Sequence, residues 1–118
     1  MFQRYGGLPL VTELVMSFYD RVLASERLAP YFASVDMRRL VEHQAKFVSS
    51  VMGGPASYSN AELRDIHAHL EIDERTFDEM IRLFEESLVE LRFAPEDREE
   101  ILADFRARRA YIVTQVPA

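Results

Sequence analysis

Four polar side chains interrupt otherwise apolar helical faces in this sequence: Tyr19, His43, Gln44 and His67. A buried polar group without a partner costs roughly 1–3 kcal/mol, so each needs a reason to be there. An imidazole can ligate a metal, and a phenol or amide can hydrogen-bond whatever sits beside it. Gln44 is the clearest anomaly: it lies four residues after Leu40, three before Phe47 and four before Val48. His43 shares an edge of that stripe. His67 lies four residues after Leu63 and three before Leu70, so it points inward too. His69 is rotated about 200° from His67 at 100° per residue and faces solvent.

Plainer readings stand beside these. A lone histidine on a helix face is more often a satisfied core or boundary residue than a ligand. Tyr19 is, as a type, more often an amphipathic core residue whose hydroxyl reaches water or a carbonyl. Gln44 could bond a neighbouring backbone, and His43, beside Glu42 and near Arg39, could be a half-exposed structural residue. Spacing alone therefore yields a helical domain with an unexplained polar cluster.

The elements that must position these groups are helices, because apolar residues recur at helical spacing almost throughout and no period-two strand is present. A first long helix is predicted from near Pro9, with Val11, Leu14, Val15, Phe18, Tyr19, Val22 and Leu23 as its buried stripe. A brief turn follows at Leu28 to Phe32. Asp36 is a good N-cap for a helix carrying Met37, Leu40, Val41, Gln44, Phe47, Val48 and Val51, which Gly53-Gly54-Pro55 ends. The polar stretch from Pro55 to Asn60 reads as a loop. Asn60 caps a short helix with Leu63, Ile66, His67 and Leu70. Asp73 caps another with Phe77, Met80, Ile81, Phe84, Leu88 and Leu91. After Ala94-Pro95 the last helix carries Ile101, Leu102, Phe105 and Ile112. The expectation is an all-α bundle of about five or six helices.

Composition bounds the chemistry. The 118 residues make one domain, 1–118, with an ordinary apolar fraction of 48%; a domain of this size buries about 65–70% of its unfolded surface without staples. No cysteine is present, which excludes disulfides, zinc–thiolate sites, iron–sulfur clusters and thioether-linked haem. The net charge of −6 and the scattered basic residues argue against nucleic acid and against a membrane patch. The run Leu8 to Val11 is too short for a signal-peptide core or a bilayer span, so a soluble cytoplasmic protein is expected.

In order, the landmarks are Gly6-Gly7 before the first long helix, then Phe18 to Leu23, Tyr31-Phe32, Val35-Asp36-Met37, His43-Gln44 and Phe47. Gly53-Gly54-Pro55, Tyr58, Ile66-His67, Ile72 and Phe77 follow. No single one is specific, but together the sequence resembles the truncated haemoglobins, most closely their group I. The likeness covers the chain to about residue 93, the final helix matching only in pattern.

The resemblance implies a truncated globin fold, a two-over-two helical sandwich around non-covalent haem b. By position, His67 is the proximal iron ligand, Phe32 stacks on the haem, and Tyr19 and Gln44 line the distal side. Leu40, Phe47, Leu63, Ile66, Ile72 and Phe77 contact the macrocycle. Imidazole suits haem iron, apolar walls exclude water, and two polar distal groups give a partly charged ligand its hydrogen bonds. Tyr58 and Arg64 are candidates for the propionates, although Arg64 reads equally well as a solvated surface residue. Leu40 departs from relatives that carry a polar residue there. The final helix has no histidine, so the covalent histidine–vinyl link of some relatives has no candidate.

Some group I members ligate iron from the distal side through a histidine just before the distal glutamine, and His43-Gln44 matches that arrangement. The implied resting state is hexacoordinate, with His67 and His43 on one iron; the rival is an open iron with His43 at the pocket mouth. The implied function is binding of oxygen, nitric oxide and carbon monoxide, with nitric oxide dioxygenase-type or related redox detoxification. Turnover then needs an external, unidentified reductase, since the chain has no room for a flavin or nicotinamide domain. The competing class is oxygen storage or gas and redox sensing without turnover. A haem-free helical interaction module is the third reading.

Overall fold

The computed structural model describes residues 2–33, 35–53, 72–109 and 113, and among these every regular element is helical. A 3-10 turn, Gln3–Tyr5, leads into α1, Leu8–Ala24. A second 3-10 turn, Ala29–Phe32, precedes α2, Met37–Val51. Helices α3, Glu74–Glu90, and α4, Pro95–Ala107, complete the described chain. The short helix expected after Asn60 lies outside the described residues.

Local chemistry sets the boundaries. Gly7 enters α1 at φ 71°, a conformation that costs a glycine little, and Pro9 fills the first turn, where no backbone donor is needed. The carboxylates of Asp36 and Asp73 accept from the amides of Arg39 and Thr76, capping α2 and α3. Both caps are where the sequence puts them. Helix α3 ends in a Schellman turn: the Phe93 amide reaches Leu88 O at 3.0 Å and the Arg92 amide reaches Val89 O at 3.0 Å. Arg92 there adopts φ 63°, a position that more often holds glycine. Pro95 then starts α4.

Helix α1 is the spine, packed on both α2 and α3, while α3 packs on α4. Its buried side chains are Val11, Leu14, Val15, Phe18, Tyr19 and Val22. Leu23 is the exception to the predicted stripe, at 47% exposure. It stands about 100° around the helix from Val22, past the edge of the buried face. Val48, Phe93, Leu88, Ile101 and Leu102 close the same core.

The N-terminal turn is latched to the start of α4 in a way the sequence did not reveal. The Tyr5 ring stacks on Phe93 at 4.1 Å. Its hydroxyl donates to Asp97 at 2.5 Å and accepts from the Ala94 amide at 2.9 Å. Arg4 adds two bonds of 2.9 Å to the same carboxylate. The Tyr5 hydrogen bond, followed by the Arg4 charge, holds the Asp97 carboxyl below the usual range. Its folded state therefore binds fewer protons than the unfolded chain, and the latch stabilises above about pH 4 and fades as pH falls further. Urea unfolding at several pH values should show Asp97→Asn less stable than wild type at pH 7, with a flatter fall between about pH 5 and 3. Equal slopes in that window would remove Asp97 from the account.

Candidate functional site

Of the residues singled out in the sequence, Tyr19, Phe32, Leu40, His43, Gln44, Phe47, Ile72 and Phe77 lie in the described structure. Tyr58, Leu63, Arg64, Ile66 and His67 lie outside the described residues. Tyr19 is 7% exposed on the core face of α1. Its ring meets Phe32 edge-on at 5.7 Å and Phe18 at 5.0 Å. Burial alone pushes its phenol well above the ordinary value, and no described residue hydrogen-bonds it. The phenol is thus a neutral donor at any physiological pH.

Aromatic contacts carry this wall across the molecule. Phe18 meets Phe84 at 5.2 Å, Phe84 meets Phe105 at 4.8 Å, and Phe105 stacks on Phe47 at 5.9 Å. Phe32, Tyr19 and Phe47, which come from three elements, are thereby joined in one apolar wall. Ile72 and Phe77 form a second cluster with Tyr31, Ile81 and Val113. The adjacent residues Tyr31 and Phe32 bridge the two clusters, because Phe32 packs on the first.

Helix α2 presents a graded face. Phe47 is buried, Leu40 and Gln44 are half-buried, and His43 is exposed. On the helical wheel His43 falls about 60° from Leu40 and 40° from Phe47, so it flanks the face that carries them. Phe18, Phe84, Phe105 and Tyr31 are the wall residues the sequence reading did not assign to the site. Their helical spacing marks them as core, and nothing local distinguishes a core ring from a cofactor-facing one.

The chain from residue 1 to 113 matches the family model described as bacterial-like globin. The chain belongs to the bacterial-like globin family. Within it, this globin is a group I truncated haemoglobin. It is 36% identical over 67 residues to the group 1 truncated hemoglobin of Mycolicibacterium paratuberculosis, a stretch covering 57% of this chain and 49% of that protein. The match thus spans about half the length of that curated relative. Against the group 1 truncated hemoglobin of Tetrahymena thermophila the identity is 29% over 91 residues, covering 77% of this chain and 75% of the relative. The crystal structure of truncated hemoglobin from Tetrahymena pyriformis in its Fe(III) form superposes with a TM-score of 0.86 at 25% identity, covering 95% and 96% of the two chains. The two-over-two globin fold expected from the sequence is the one observed.

Globins carry haem, and the residues present fit it. A planar macrocycle needs flat apolar walls, and the described residues include aromatic rings in both apolar clusters, Phe32 and Phe47 in one and Phe77 in the other. A buried phenol without a described partner has one once a polar ligand sits beside it.

Proposed function

We propose that this globin binds diatomic gases at haem and turns them over, consuming nitric oxide and oxygen to give nitrate. The hydroxyl on the buried Tyr19 side chain, which no described residue hydrogen-bonds, is the observation that carries this reading. Haem, when bound, supplies an iron that takes up small ligands reversibly and changes oxidation state by one electron. Everything else is the work of the chain. His67 would hold the iron through its imidazole. Phe32, Leu40, Phe47, Leu63, Ile66, Ile72 and Phe77 wall the macrocycle and keep water out, and Tyr58 and Arg64 reach its propionates. The Tyr19 hydroxyl and the Gln44 amide donate to the partly negative end of the ligand. Nitric oxide, oxygen and one electron balance nitrate, and the electron comes from an external reductase.

His43 would be the second imidazole to hold the iron when no gas is bound. A second reading, an open iron with His43 at the pocket mouth, is favoured by the exposure of His43 on α2.

Hydrogen bonds to charged groups contribute about 1.5–3 kcal/mol, and each 1.4 kcal/mol is tenfold in an equilibrium. Stopped-flow mixing should therefore show Tyr19→Phe releasing oxygen about 10–100-fold faster than wild type. Nitric oxide added to the oxygenated ferrous protein should abolish its spectrum at once and yield one nitrate per haem. An oxygenated spectrum that persists through nitric oxide identifies storage or sensing instead. An unchanged release rate in Tyr19→Phe removes Tyr19 from the distal site.

A further inference from the structure

Two adjacent guanidinium groups follow directly after α4, and each lies over a ring proposed above for the cofactor wall. Arg108 sits 5.2 Å from the centre of the Phe47 ring on α2. Arg109 sits 4.9 Å from the centre of the Phe77 ring on α3. Each is fixed in place by carboxylates. The Arg108 Nε donates to Asp104 at 2.5 Å, one turn back in α4. Arg109 donates through one terminal nitrogen to Glu74, and through the other to Asp78 at 2.7 Å. Glu74, Phe77 and Asp78 all belong to the start of α3. One corner of the chain thus braces two rings from two helices, and Phe105, three residues before Arg108, stacks on the Phe47 ring as well.

Arginine is suited to this. Its planar guanidinium covers an aromatic face while its in-plane N–H fork pairs with carboxylates, so one side chain fixes both a ring and a helix. Their side chains are only 21% and 38% exposed, so water screens these contacts less than those of a fully solvated pair. Ion pairing alone does not require both arginines to lie on aromatic rings of the same site.

We propose that Arg108 and Arg109 are positioning residues for the haem: they fix the tilt of Phe47 and Phe77 so that the macrocycle is held in one seating and released slowly. The inference rests on the reading that Phe47 and Phe77 face the macrocycle. Haem b has unlike edges, so a loosened wall admits the flipped seating, and the two seatings give separate sets of shifted haem-methyl resonances in the proton NMR spectrum.

The experiment uses ferric holoprotein of wild type, Arg108→Gln, Arg109→Gln, the double Gln variant and Arg109→Lys, each mixed with an excess of a haem-acceptor protein. Wild type should show one dominant seating. The double Gln variant should show two, and should lose haem about tenfold faster. Arg109→Lys, which keeps the charge but not the fork, should fall between wild type and Arg109→Gln, and it serves if the double variant does not fold. Wild-type seating and wild-type loss rates in the Gln variants overturn the proposal, even where the melting temperature of the haem-free protein falls. Phe47→Ala and Phe77→Ala separate the two layers. Faster loss in these variants with none in the arginine variants overturns the brace alone. No change in either set overturns the assignment of the rings.

Discussion

His67→Gly should take up haem far more weakly than wild type and lose the proximal-histidine signature from its ferrous spectrum. Removing even an outer-shell partner of a metal ligand costs about 10–100-fold in affinity, and removing the ligand itself costs more. On the proposed reading the rest of the grip is apolar contact with Phe32, Phe47 and Phe77, which the substitution leaves in place. Binding should therefore be weakened rather than abolished. The space left by glycine admits a free imidazole, so adding imidazole should restore the axial signature. That rescue separates a lost ligand from a misfolded chain.

His43→Ala is expected to have the second large effect. Two neutral imidazoles on one iron favour the low-spin state, so ligand-free wild type should be low-spin when ferric and when ferrous. The substitution should convert both to high-spin spectra. An internal ligand lowers apparent gas affinity by the fraction of time the site is open. If the closed form is 90–99% of the total, His43→Ala raises carbon monoxide affinity about 10–100-fold. High-spin wild-type spectra that the substitution leaves unchanged would place His43 at the pocket mouth, the reading its exposure on α2 favours.

Where the sequence was legible, the physics was local. A carboxylate can bond an amide three residues on, so Asp36 and Asp73 announce the starts of α2 and α3. Pro95 marks the start of α4 for the same kind of reason. The buried face of α1 follows from periodicity and fails only at Leu23, which stands past the edge of that face. What stayed hidden depends on contacts distant in sequence. Nothing near Tyr5 points to Asp97, 92 residues away. Nothing near Arg109 points to Glu74 or Phe77, because a guanidinium chooses its partners only once α3 and α4 are packed. The candidate site divides the same way. Tyr19 and Gln44 stood out as polar residues on apolar faces, whereas Phe18, Phe84 and Phe105 looked like ordinary core and turned out to connect Tyr19 to Phe47.

The most direct measurement is a titration of the purified, haem-free chain with ferric haem, followed by its absorption near the Soret maximum. The proposed pocket, with Phe32, Phe47 and Phe77 as walls and His67 as iron ligand, predicts an intense band that rises steeply and breaks sharply at one haem per chain. A shallow rise without a break, matching free haem in buffer, would mean that these helices enclose no such pocket.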